Sequence, residues 1–313
     1  MKLFCQDGGG VKGYLQAVIA ERLQATTGFL DQVDTFVGTS IGGIGALWYA
    51  NGGTPAGLRT MFEDKADVIF GPRDFLDKAT GGADEYFRAN FSQGPLREVL
   101  TGMFGDKRLP DLENEVLVVS FDLASFKPKL FDRSDDYSLV DAALASSAAP
   151  TYLPLHVVHE NLAGRATKRG VTRAFVDGGM VANNPAAVAI SFALASGAEK
   201  DDVSLFSLGA GATPYKPPRE ILYEAKKVLD WGVRDWLVTN PGLLLKILFD
   251  GSVVKDHFTA SHLLKNRYYR LQPVLSEDVD LGDAGKLPLL LNIAANLDLN
   301  EVEAWMHLEG WVA

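Results

Sequence analysis

The chain has 313 residues, 47% of them hydrophobic and 22% charged, the proportions of a folded globular protein rather than a disordered or fibrous one. Thirty Lys and Arg against forty Asp and Glu leave a formal net charge of −10, which argues against nucleic acid as the main partner. A single cysteine, Cys5, excludes an internal disulfide and fits a reducing compartment, where it reads as a small buried strand residue.

The apolar runs, such as Leu287 to Leu291, are too short to span a bilayer, and no secretory signal pattern follows Met1. The expectation is a cytoplasmic protein whose membrane contact, if it has any, is peripheral. No Pro/Gly/Ser-rich linker or repeat period divides the chain, so residues 1–313 read as one domain.

In chain order, Lys2 to Gln6 predicts a short buried strand, followed by the loop Asp7-Gly8-Gly9-Gly10-Val11-Lys12-Gly13. A helix follows, with Leu15, Val18, Ile19 and Leu23 at helical spacing. Val33 to Val37 predicts a second strand, broken by Gly38-Thr39-Ser40-Ile41-Gly42-Gly43, and Ile44 to Ala50 a second helix. Residues 52 to 112 read as mostly helical. Strands return at Val116 to Phe121 and Lys129 to Phe131, and Ser138 caps a helix of small residues that stops before Pro150.

Thr151 to Val158 and Thr172 to Val176 predict strands joined by a basic turn, with Asp177-Gly178-Gly179 beyond them. Asn184 then caps a helix with Pro185 at its first position. Val203 to Leu208 and Tyr268 to Gln272 predict late strands, and Asn300 to Trp311 a last helix. Alternating strands and helices define an α/β class, a mostly parallel central sheet sandwiched between helices.

Chemistry concentrates at three glycine-framed strand ends. Gly38-x-Ser40-x-Gly42 has the form of a nucleophile elbow, a sharp strand-to-helix turn that exposes a serine hydroxyl. Gly8 to Gly13 literally matches a dinucleotide-binding loop, but the second strand ends in Gly38-Thr39-Ser40 instead of the acidic residue that would hold a ribose. Consecutive glycines whose N–H groups converge beside a helix N-terminus fit an oxyanion hole better. Asp177 ends an apolar strand and reads as an exposed carboxylate with access to a neighbouring strand-end serine. A turn-forming aspartate, or a Ser–Asp–His triad completed by His257 or His262, remains open on these residues alone.

The ordered set Asp7 to Gly13, Gly38 to Gly42 and Asp177-Gly178-Gly179 resembles the patatin-like phospholipases. So do Ala145 to Tyr152, Ser207 to Gly211 and Tyr268 to Gln272. The resemblance implies lipid ester hydrolysis by a Ser–Asp dyad, with Ser40 as nucleophile and Asp177 as base. It also implies Gly8, Gly9 and Gly10 as oxyanion donors, with Lys12, Gly13, Gly38, Gly42 and Gly178 supporting the motifs. Lys12 stands where the family usually has arginine, keeping the charge and losing the planar fork.

No metal or organic cofactor is needed for such a reaction, and the expected partner is a phospholipid or other lipid ester. Acyl transfer to an acceptor other than water, or non-enzymatic nucleotide or small-molecule binding at the Gly8–Gly13 loop, are the alternatives. Residues 215–260 read either as a core-packing helix pair or as a lid that meets lipid, since Tyr215 to Arg270 carries ten Lys and Arg against six Asp and Glu.

Overall fold

The computed structural model describes residues 1–71, 89–160, 171–214, 231–236 and 242–312. The expected basic turn at Arg165, Lys168 and Arg169 lies outside them, as do residues 215–230 and 237–241 of the candidate lid.

Eight strands form one sheet among the described residues. They are β1 (Lys2–Gln6), β2 (Thr35–Thr39), β3 (Glu115–Asp122), β4 (Lys127–Phe131), β5 (His156–Glu160), β6 (Val171–Asp177), β7 (Ser204–Leu208) and β8 (Tyr268–Leu271). The order is β5-β6-β3-β2-β1-β7-β8, with β4 also paired to β3. The β3–β2–β1–β7–β8 run is parallel, whereas β4 and β6 run antiparallel to β3 and β5 antiparallel to β6. The expected mostly parallel sheet is present, with an antiparallel margin.

Strand alternation assigns the two faces. Phe4, Phe36, Val116, Val118, Phe206 and Leu208 point into the larger core. Leu3, Cys5, Val37, Leu117 and Leu205 point into the smaller one. The larger core is covered by α1 (Gly13–Thr27), α2 (Ile41–Ala50), α3 (Pro55–Ile69), α4 (Gln93–Phe104) and α5 (Leu139–Ser146). The helices α6 (Gly179–Ala182), α7 (Ala186–Ala195) and α8 (Leu243–Leu264) follow, and α7 and α8 cover the smaller core. Finally α9 (Leu287–Asn296) and α10 (Asn300–Leu308) return to the larger core. Helices on both faces make a three-layer sandwich.

Most elements fall where the periodicity puts them, and the differences in their bounds have local causes, as three of them show. β2 runs through Gly38 to Thr39, because parallel pairing with β3 continues to Thr39↔Val119. The strand expected from Thr151 begins only at His156, since Thr151 adopts a left-handed φ of 71° and Tyr152 and Leu153 turn back onto Ala149. The α7 cap shifts by one residue: Pro185 occupies the N-cap, and Asn184 Oδ1 accepts from the Ala186 N–H at 3.1 Å.

The last residues close the larger core. Trp311 is fully buried, packs its ring against Phe206 and Trp305, and donates from Nε1 to Ser204 Oγ at 2.9 Å. Trp311→Ala is therefore expected to cost about 3–5 kcal/mol of stability, read as a lower midpoint in urea denaturation with an unchanged slope.

Candidate active site

β1 and β2 are parallel neighbours in register Gln6↔Gly38, so the loops leaving their carboxyl ends emerge side by side. The two backbones then pass so closely that side chains are excluded. A Cβ on Gly42 would lie 2.3 Å from the Gln6 carbonyl oxygen, and one on Gly38 would lie 2.0 Å from that of Gly42. Ser40 sits on top of this crossing with φ 56° and ψ −125°, a left-handed conformation that costs a non-glycine residue about 1–3 kcal/mol. That strain is what the nucleophile-elbow motif requires.

The third element arrives from the antiparallel margin. β6 pairs with β3 in register Ser120↔Asp177, and Gly178 lies against β3, where a Cβ would be 2.1 Å from the Val119 carbonyl oxygen. Asp177 therefore ends beside Ser40 with only β3 between their strands. Its carboxylate accepts the Gly179 N–H at 2.7 Å, and the Ser40 hydroxyl stands near enough to favour its charged form. The expected exposed carboxylate is in fact buried, only 2% accessible. Burial pushes its pKa up to about 6, against the lowering pull of the Ser40 hydroxyl and the Gly179 amide.

The glycine loop faces the same point. The Gly8 N–H donates to the Asn183 carbonyl oxygen at 3.0 Å, which corrects the reading of Gly8 as a free donor: it holds the loop down. A Cβ at Gly8 would also stand 3.1 Å from Ser40 Cβ. Among the described residues, the amides of Gly9 and Gly10 have no partner. Gly10 needs its left-handed φ of 57° to let the chain turn under Leu281, whose carbonyl oxygen accepts from Val11 at 2.8 Å. Gly13 packs α1 against Ile41 and Phe62. Lys12 is partly buried on the cavity wall. Burial and Lys246 push its pKa down, and Asp250, Asp278 and Asp280 pull it back.

Sequence reasoning missed the brace that orients these groups. Ser146, the last residue of α5, accepts the Ser40 N–H at 2.8 Å and donates to the Val119 carbonyl oxygen at 2.6 Å. Its own carbonyl accepts from Gly178, and the neighbouring Ala148 carbonyl accepts from Asp177. The small-residue block thus ties the Ser40 turn and Asp177 to one helix end. Its bland composition carries no spacing signal, and only the family resemblance pointed there.

Ser40, Asp177 and the glycine loop open on a cavity of about 720 Å³, walled by apolar side chains that include Met61, Phe70, Phe91, Leu100, Leu153 and Phe249. Among the described residues, no histidine lines it. His156 bonds Asp141 and Gln93, His257 bonds the Tyr268 hydroxyl, and His262 bonds the Phe258 carbonyl, so the triad alternative finds no imidazole at Ser40. Among the described residues no acidic, histidine or cysteine group has metal-site geometry.

Residues 4–190 match the family model described as "Patatin-like phospholipase". Patatin-like protein 2 of Arabidopsis thaliana is 29% identical, covering 94% of this chain and 79% of that protein. The cGAMP-activated phospholipase of Vibrio cholerae is 28% identical, covering 77% of this chain and 73% of its own length. Among solved structures, VipD from Legionella pneumophila aligns with a TM-score of 0.42 at 11% identity, over 93% of this chain and 66% of that one. The α/β sandwich and the matched family model together define a class of lipid acyl hydrolases. The chain belongs to the patatin-like phospholipase family, whose members are lipid acyl hydrolases.

The Asp177 environment has a thermodynamic consequence. A carboxyl whose folded pKa is about 6 against an ordinary 3.8 binds its proton more tightly in the native state, so stability falls as pH rises from about 4 to about 6 and stays lowered above. The penalty is about 3 kcal/mol. Asp177→Asn keeps an acceptor for Gly179 and removes the charge. It is expected to raise stability at pH 7.5 by up to that amount, with the gain gone by pH 4, as measured by chemical denaturation at both values.

Proposed function

We propose that the chain hydrolyses ester-linked acyl groups of phospholipids through a Ser40–Asp177 dyad. The observation that carries this reading is the strained Ser40 beside a buried carboxylate and, among the described residues, two unpartnered amides at the wall of an apolar cavity. A carboxyl with a pKa near 6 is ionised at neutral pH and basic enough to take the serine proton as the bond to carbon forms. Burial beside the hydroxyl makes that transfer direct.

Ser40 Oγ attacks the ester carbonyl while its proton passes to Asp177, and the oxyanion develops against the Gly9 and Gly10 amides. Collapse breaks the carbon–oxygen bond, and the departing alcohol takes the proton from Asp177. Water then gives a proton to Asp177 as it attacks the acyl-serine, and the proton returns to Ser40 as the fatty acid leaves. The apolar cavity accepts the acyl chain. Residues 1–313 act in this reading as one hydrolase domain, supported by Trp311 closing the same core that α2 joins.

Ser40→Ala and Asp177→Asn are each expected to lower turnover of a soluble chromogenic short-chain ester by about 10³-fold or more, with His262→Ala leaving it unchanged. In the unmodified protein kcat/KM rises with pH with a midpoint of about 6, as Asp177 ionises. Full activity of either dyad variant, or loss on removing His262, would overturn the dyad.

α8 supports contact with a lipid surface. Leu243, Leu245 and Phe249 face the cavity, while Leu244, Ile247, Leu248, Val254 and Phe258 form an exposed row along its other side. A helix that is apolar on both sides is usually fully buried, so the outer row suits a non-aqueous neighbour. Ile247→Asp with Leu248→Asp is expected to cut turnover of phosphatidylcholine vesicles about tenfold while sparing the soluble ester. Equal losses on both substrates would count against the row as a lipid contact.

A further inference from the structure

Directly behind the glycine loop lies a buried ion pair that acyl transfer does not consume. Asp7, where the chain leaves β1, is held at every polar atom. Its N–H donates to the Leu208 carbonyl at 3.1 Å, and its carbonyl accepts from Gln16 Nε2 at 3.2 Å. Its carboxylate takes both arms of Arg270, Nη1 to Oδ1 at 3.0 Å and Nη2 to Oδ2 at 2.6 Å. The two side chains are only 3% and 6% exposed.

Arg270 reaches this point from β8 across β7, donating on the way to Ser207 Oγ at 2.7 Å and also to Gln272 Oε1. The crossing explains Gly209, where a Cβ would meet Gln272 Oε1 at 1.7 Å and Arg270 Nη2 at 3.0 Å. Neither Asp7 nor Arg270 lines the cavity, so neither touches substrate.

We propose that Arg270 is a positioning residue for the reaction: its bidentate grip on Asp7 fixes the entry of the Gly8–Gly10 loop and cancels a negative charge that would otherwise oppose the oxyanion forming in front of that loop. The inference rests on the Ser40–Asp177 reading. The chemistry is that of a planar fork matched to a carboxylate in a medium where water screens little. Asp7 is the residue immediately before Gly8, and the turn of the nucleophile packs on its carbonyl, since a Cβ at Gly42 would stand 2.7 Å from that oxygen. Any rotation of Asp7 is thus passed to both halves of the site.

The electrostatics point the same way. Burial raises the Asp7 pKa, and Arg270 is the first group opposing that rise, followed by Lys12 from the loop and His257 from α8. Asp256 of α8, Cys5 of β1 and Tyr268 of β8 also feel the Asp7 charge. Lys12 and His257 do not touch the carboxylate, so removal of Arg270 leaves it without its neutralising contact.

The test uses the full chain carrying Arg270→Gln, Asp7→Asn or both, assayed on the soluble chromogenic ester from pH 5 to 9, with melting followed in parallel. Arg270→Gln is expected to lower kcat at pH 8 by about a hundredfold with little change in KM. Its activity relative to the unmodified protein at the same pH should recover between pH 8 and about 6 as Asp7 takes up a proton. Adding Asp7→Asn should restore at least about tenfold of kcat at pH 8 and remove the acid recovery. A purely structural role predicts loss that follows melting and shows no proton-linked recovery.

Wild-type kcat for folded Arg270→Gln, or a double variant no better than the single one, would overturn the inference. Should Arg270→Gln not fold, Arg270→Lys keeps the charge without the fork and is expected to show a reduced kcat; an unchanged kcat then overturns the proposal. Failure of the underlying reading is separable, because it appears as activity retained by Ser40→Ala.

Discussion

Everything at this site depends on peptide backbones approaching closer than any side chain would allow. The β1 exit, the serine turn and the β6 exit are pressed together at Gly42, Gly38 and Gly178, each backed by a carbonyl oxygen within 2.0–2.3 Å of where a Cβ would stand. Glycine there is a steric necessity, and the strain carried by Ser40 is the counterpart of that compression. The parallel pairing of β1 with β2 and the antiparallel pairing of β6 with β3 are what bring the three exits to one place.

Two buried carboxylates stand at this junction, and their surroundings separate their roles. Asp177 meets a hydroxyl and an amide and, among the described residues, no cation, so burial dominates and raises its pKa. Asp7 meets a guanidinium face on, which keeps its charge compensated and its geometry fixed. Partner chemistry, rather than depth of burial, distinguishes a group that can exchange protons from one that shapes its neighbours.

Much of this was legible in the sequence because glycine patterns report backbone proximity directly. Gly38-x-Ser40-x-Gly42 and the Gly8–Gly10 run marked two exits, and Asp177-Gly178 the third. The parts that stayed hidden depend on which side chains meet. Ser146 looks like filler until α5 ends beside β3, and Asp7 and Arg270 are 263 positions apart until β7 brings them together. The burial of Asp177 and the prior engagement of the Gly8 amide follow from packing by α5 and from the Asn183 carbonyl, which no local pattern encodes. The late start of β5 has the same origin, a turn stabilised by contacts back to Ala149.

The two-sided character of α8 also bears on how copies of the molecule behave toward one another. Its outward leucines and isoleucine would adhere to any similar row on a second copy, while a net charge of −10 pushes copies apart. Colloidal stability in dilute buffer is therefore a balance between a short-range attraction and a repulsion that counter-ions shorten to roughly 10 Å at 0.1 M ionic strength. Added salt tips that balance toward self-association, and mild detergent, by occupying the row, tips it back.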